Sequence, residues 1–183
     1  MHRARGVNAC EDGGVARYTV LPRRSRLWLD ARSNVHPIHS TANGLEGFIE
    51  LDAERDGGRG SPPAGQLSFP VSNLSSGNPL ERRELQKRID ARRYPTIDGV
   101  LTGLEPLDGE GRFCVRGDLT FRGVTRSVEG VIAMSTVDDR TLRLEGESTF
   151  DIRDFDMNPP RILMLRVEPD VNVRVEILAE RDR

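Results

Sequence analysis

Leu142-Arg143-Leu144-Glu145-Gly146-Glu147-Ser148-Thr149-Phe150-Asp151-Ile152-Arg153 alternates between an apolar or small residue and a polar or charged one. A period of two puts every second side chain on the same face of a sheet, so the stretch predicts a β-strand with one wet face. Val171, Val173, Val175 and Ile177 repeat the pattern against Asn172, Arg174 and Glu176. Phe113, Val115, Gly117, Leu119 and Phe121 do so against Cys114, Arg116, Asp118, Thr120 and Arg122. Leu27, Leu29 and Ala31, and then Leu67, Phe69 and Val71, fit the same reading, with Trp28 on the face opposite Leu27 and Leu29. Because an unpaired buried charge is costly, the faces carrying Arg143, Glu145, Glu147, Arg174 and Glu176 are expected outside.

Further strands are expected at residues 15–21, 45–51, 96–105 and 127–135. Asp56-Gly57-Gly58, Asp108-Gly109-Glu110-Gly111, Arg122-Gly123 and Asp138-Asp139 supply the positive-φ or side-chain-capped positions that chain reversals need. Short reversals between alternating strands imply an antiparallel meander. About nine strands, each with one apolar face, must hide those faces together, and closing the sheet does so while removing exposed edges. The predicted fold is therefore all-β, a barrel or strongly curled sandwich, in a single domain over residues 15–180 behind a flexible tail at 1–14.

One segment departs from this pattern. Asn78 can cap a helix with Pro79 at its first position and Glu81 as capping-box partner, and Tyr94-Pro95 stops it, giving a helix over about 78–91. Its polar face carries Arg82, Arg83, Glu84, Lys87 and Arg88, leaving a narrow apolar edge of Leu80, Leu85 and Ile89 that suits a barrel rim. Residues 52–65, rich in Gly, Pro and charge, read as a mobile loop.

Composition narrows the function. Charged residues make up 31% of the 183, with 27 basic and 29 acidic, so no strong field favours nucleic acid or an anionic membrane surface as partner. Arg3 and Arg5 are not followed by an apolar run of signal-peptide length, and no run is long enough to span a bilayer, so the chain is expected in the cytoplasm. Cys10 and Cys114 make no disulfide framework and are expected as free thiols. His36-Pro37-Ile38-His39 is the one histidine cluster; Pro37 and the lack of further ligands nearby favour a loop with local hydrogen bonds over a metal site. Arg92-Arg93 beside Tyr94 could meet a phosphate, but basic residues at a helix C-terminus also complement its dipole. Arg116-Gly117-Asp118 lies inside an alternating strand, which makes it structural. No nucleophile elbow, phosphate loop or dinucleotide fingerprint occurs, and no enzymatic activity is expected.

Arg92-Arg93-Tyr94-Pro95-Thr96-Ile97 after a short helix, then Arg116-Gly117-Asp118-Leu119-Thr120-Phe121-Arg122-Gly123-Val124-Thr125-Arg126, and finally Asp154-Phe155-Asp156-Met157 before a Val-rich strand, together resemble the YceI-like family. The resemblance runs from about Tyr18 over nearly the whole chain. It implies an antiparallel extended lipocalin-like β-barrel with a short helix at the rim, whose apolar tunnel takes polyisoprenoids, isoprenoid quinones or related long amphiphiles. Many members of this bacterial family are exported. Two positions depart from the family pattern: Arg24 stands where a His usually precedes Ser25, and Gly99 stands where a Phe is common. Gly99 could widen the interior or relieve strain at a bend.

The expected function is non-catalytic binding, sequestration or carriage of a polyisoprenoid, isoprenoid quinone or fatty-acid-like lipid inside the barrel. No cofactor is required beyond such a bound lipid, and a homodimer is compatible with the sequence. The residues expected to line the tunnel are Leu27, Leu29, Ile49, Leu67, Phe69, Ile97, Leu101, Phe113, Val115, Val128, Ile132, Leu144, Phe150, Val173 and Val175. The rival is a filled barrel acting as a structural or protein-interaction module without ligand. An enzyme using His36 or His39 as base is the third reading.

Overall fold

The computed structural model describes residues 15–52, 62–159, 161–162 and 164–183. The expected tail at 1–14 and the Asp56-Gly57-Gly58 turn lie outside these residues. Alternation dominates the chain, and strands dominate the structure: β1 (Val15–Val20), β2 (Arg26–Ser33), β3 (Ile38–Asn43), β4 (Glu46–Asp52), β5 (Ala64–Pro70), β6 (Ser75–Ser76), β7 (Thr96–Pro106), β8 (Arg112–Phe121), β9 (Val124–Thr136), β10 (Thr141–Asp151), β11 (Arg161–Ile162) and β12 (Leu165–Arg181). Every pairing is antiparallel, and β1 meets both β4 and β12, which closes an eight-stranded barrel.

Eleven of these segments make eight walls because the first three walls are bent, and β11 lies off the ring, paired only with β12. β1 and β2 follow one another along β12, joined by a jog at 21–25. Ser25, fully buried, fills the missing ladder positions there: its Oγ donates to the Leu178 carbonyl (3.3 Å) and accepts from the Leu178 N–H (3.1 Å). β3 and β4 jog at Gly44, whose φ of +82° favours glycine. β5 and β6 are joined by a 3-10 turn, Val71–Asn73. The expected strand through Val71 therefore ends at Pro70, and Val71 is instead a fully buried residue of that turn.

Corrections to the sequence reading fall where alternation is weak. The loop expected around the two histidines is the strand β3; of its inward residues Ile38, Ser40 and Ala42 only Ile38 is large and apolar, too little to register as an apolar face. The two-residue strands β6 and β11 are too short to show a period. Asp52 ends β4, and Ala64 and Gly65 begin β5, so the expected 52–65 loop is shorter at both ends, with 53–61 outside the described residues. The faces of Arg143, Glu145, Glu147, Arg174 and Glu176 lie outside, where Arg143 pairs with Glu176 at 3.1 Å and Arg174 stacks over the Trp28 ring at 4.6 Å.

The helix α1 (Pro79–Ile89) forms at the end of the barrel where β6 stops and β7 starts. Asn78 caps it by accepting from the Leu80 N–H (2.9 Å), and the Asn78 amide donates to Glu81 (3.3 Å). The helix ends at Asp90, in the left-handed conformation, four residues before Tyr94-Pro95. Leu80 is 76% exposed, so the packing edge consists of Leu85 and Ile89 without it.

Candidate functional site

Inward positions on the eight walls enclose a cavity of about 510 Å³, within the range of pockets that hold small ligands. All of the expected lining residues except Phe113 contribute to it. Phe113 keeps the inward parity but sits opposite Pro106, beyond the Leu104–Val115 pair where the cavity ends on that side. The floor is packed: Ile49, Leu104, Leu144 and Ile177 are each at most 7% exposed. Above it, Leu27, Leu29, Leu67, Ile97, Leu101, Val115, Val128, Ile132, Phe150, Val173 and Val175 face inward yet remain partly accessible, because opposing walls do not meet. On β12 the lining runs from Val167 to Ile177, about 30 Å of strand at roughly 3.3 Å per residue. The space is elongated along the barrel.

Glycines make much of that space. β7, β8, β9 and β10 each carry one at an inward position, Gly99, Gly117, Gly130 and Gly146, between inward neighbours two residues away on either side. A Cβ at Gly99 or Gly130 would meet nothing within 4 Å, whereas one at Gly117 would lie 2.7 Å from the Val100 carbonyl. Gly99 has no positive φ and pairs regularly with Leu67 and Leu119, so it widens the interior and is not a bend. Arg24, the other departure from the family pattern, is exposed on the 21–25 jog and does not line the cavity.

The helix end is more polar. Glu81 and Glu84 of α1, with side chains 20% and 26% exposed, line the cavity beside Leu85 and Ile89. Glu84 accepts from Arg88 Nε at 2.8 Å, which holds its carboxyl below the usual range. Ser40, Ser76 and Ser148 add hydroxyls to the wall. None of these five is among the lining residues expected from sequence: Ser40 and Ser76 lie in stretches without apolar alternation, Ser148 stands in an apolar row as a polar residue, Glu81 reads as a capping-box partner and Glu84 as part of a solvated helix face. The spacing of Glu81, Glu84, Leu85 and Ile89 along one helix face is the signal that could have found two of them.

The other candidates take structural places. His39 is on the outside of β3, bonded to Asp30 at 2.6 Å, and His36 Nδ1 lies 3.0 Å from the Pro37 carbonyl. Among the described residues no group of three or more His, Cys, Asp or Glu is placed to hold a metal. Cys114 is a free thiol on the outer face of β8, pushed up by partial burial and by Glu129. Arg116 of the Arg116-Gly117-Asp118 tripeptide is in mid-strand, paired with Glu105. Arg93 stacks on the Tyr94 ring at 5.3 Å.

The motifs spaced along the chain meet at the helix end. Tyr94 packs against Gly123, where an added Cβ would lie 2.8 Å from the ring. Arg122 and Gly123, with φ of +51° and +76°, make the two-residue turn between β8 and β9, and Arg122 donates to the Asp156 carbonyl. Phe121 and Phe155 meet edge to face at 5.8 Å. The model of the YceI-like domain matches residues 18–179. The chain belongs to the YceI-like family. Solved structures agree on the fold of this YceI-like barrel. Burkholderia cenocepacia BcnA superposes with a TM-score of 0.74 at 15% identity, over 87% of this chain and 98% of that one. A polyisoprenoid binding domain from Saccharophagus degradans, implicated in plant cell wall breakdown, gives 0.68 at 11% identity, over 90% and 98%. A Campylobacter jejuni YCEI protein gives 0.63 at 15% identity, over 79% and 84%. No match was found among curated proteins. Among the described residues no helix is long and apolar enough to cross a membrane.

Proposed function

We propose that this YceI-like protein binds, and so sequesters or carries, one long apolar or amphiphilic molecule in its barrel, with a polyisoprenoid, an isoprenoid quinone or another long-chain lipid as the class of ligand. The observation that carries the reading is the elongated apolar cavity whose inward Leu, Ile and Val side chains remain partly accessible. Filling it with hydrocarbon removes that surface from water, at roughly 25 cal/mol for each Å² buried. The binding described for the Saccharophagus degradans domain supports the same reading. The cavity weighs against the filled-barrel alternative, in which opposing walls would touch. The reading needs no group on the wall for chemistry, and burial of the apolar chain supplies most of the affinity.

The test is extraction of the purified protein with organic solvent followed by mass spectrometry, together with native mass spectrometry of the intact complex. Recovery of one long-chain lipid near one per barrel is the expected result. A protein that carries no lipid and takes up no apolar probe would refute the proposal.

A further inference from the structure

A cavity lined only by hydrocarbon would hold an amphiphile in either direction. This one has a polar end. Successive register pairs join Ser76 to Ser40, Ser40 to Leu29, Leu29 to Val173 and Val173 to Ser148, so three hydroxyls stand on one row of directly opposed residues. Ser40 is only 7% exposed, faces inward between Ile38 and Ala42, and its hydroxyl has no hydrogen-bond partner among the described residues. That hydroxyl is not sealed off from the cavity, so the polar end of a ligand can supply the partner that the protein does not. Ser76 donates to the Asn78 carbonyl at 2.9 Å, and its oxygen can still accept.

Glu81 and Glu84 line the same end from α1. A carboxylate only accepts, so each looks for donors. Glu84 has one in Arg88, and Glu81 has the Asn78 amide at 3.3 Å with the His36 ring at 3.9 Å. Among the described residues the one arginine in the cavity wall is Arg116, and it turns outward to Glu105 and Glu129. An anionic head group would meet two carboxylates here in poorly solvated surroundings.

Resting on the proposed function, we infer that the ligand's polar end seats at the helix end, against Ser40, Ser148, Glu81 and Glu84, and that it is a hydrogen-bond donor, a hydroxyl or protonated amine, and not a carboxylate or phosphate. A hydroxyl donates to a glutamate while accepting from Ser40. An ammonium gives up to three donors and adds charge attraction. The tail then runs toward the packed floor.

The test is a series with one tail and four heads, a long-chain alcohol, amine, carboxylate and phosphate monoester, each competing at neutral pH with a neutral fluorescent naphthylamine probe. The alcohol and amine are expected to displace the probe at about tenfold lower concentration than the two anions. Glu81→Gln with Glu84→Gln should remove most of that gap by strengthening the anions. Ser40→Ala should weaken the alcohol severalfold and leave a headless hydrocarbon of equal length unchanged. Anions that bind as tightly as the alcohol would overturn the inference; Arg88 and Arg166, which border a separate groove sharing Val167 with the cavity, are where they would be held. So would a double glutamine variant with the wild-type order. Displacement that ignores the head group refutes this inference alone, whereas a probe that never enters refutes the binding function with it.

Discussion

At Gly99 the barrel wall has no side chain and the space in front of it is open, between Leu67 on one neighbouring strand and Leu119 on the other. A phenyl ring placed there projects into the cavity without a backbone clash. Gly99→Phe is therefore expected to stay folded, with an unchanged or raised melting temperature, and to bind an apolar probe at least severalfold more weakly. Loss of stability with probe binding intact would contradict the open-space reading. The inward parity of these positions was legible because glycine occupies the apolar face at Gly117 and Gly146, each with charged neighbours on the other face. The accessible space was not, since a small inward residue can serve either a cavity or a close approach of backbones. Gly99 and Gly117 look alike in sequence, and only the Val100 carbonyl 2.7 Å from a Cβ at Gly117 separates them. Phe113 shows the other limit: alternation gives the face and leaves the depth undetermined.

Single elements were readable where their signals are local. Asn78-Pro79 and Glu81 mark the start of α1 in sequence and in structure, and Asn78→Ala should lower stability by about 1 kcal/mol through loss of the cap, as measured by denaturant unfolding. The turn between β9 and β10 was also visible, as Asp138-Asp139. Asp138 accepts from the backbone N–H of Arg140 (2.9 Å) and of Thr141 (2.8 Å), bonds that hold its carboxyl below the usual aspartate range. A carboxyl depressed in the folded state stabilises that state above the unfolded pKa and loses this contribution as pH falls through the folded one. Acid unfolding of Asp138→Asn should accordingly show a shallower loss of stability below the usual aspartate range than the parent does. Equal slopes would remove the turn from the acid response. What could not be read is the end of α1. Asp90 stops it by adopting a left-handed conformation, for which the sequence offers only an aspartate between Ile89 and Ala91. β3 escaped for a similar reason, because small inward residues such as Ser40 and Ala42 suffice where the wall borders a cavity.

Closure is a property of the whole chain. Val20 lies opposite Ala179 and Tyr18 opposite Arg181, so the first strand completes the ring with the last. Alternation and short turns argue for closure in general, yet nothing local names the strand on which β1 closes, and the jogs that let β12 serve both β1 and β2 leave no periodic mark. Bringing such distant segments together costs loop entropy before contacts repay it, and barrels with non-local pairing fold slowly. Refolding from denaturant should be slow, on the order of milliseconds to seconds, and a chain ending at residue 164 should retain no probe binding and should self-associate. Full binding by the truncated chain would show that the ring is dispensable. During synthesis the consequence is sharper. A nascent chain displays β1 and β10 as open edges, with an unfilled greasy trough between them, until β12 leaves the ribosome exit tunnel. On the proposed function, a ligand could enter that trough sideways before the last wall is laid, so loading at birth and loading later through the helix end would be two routes into one cavity.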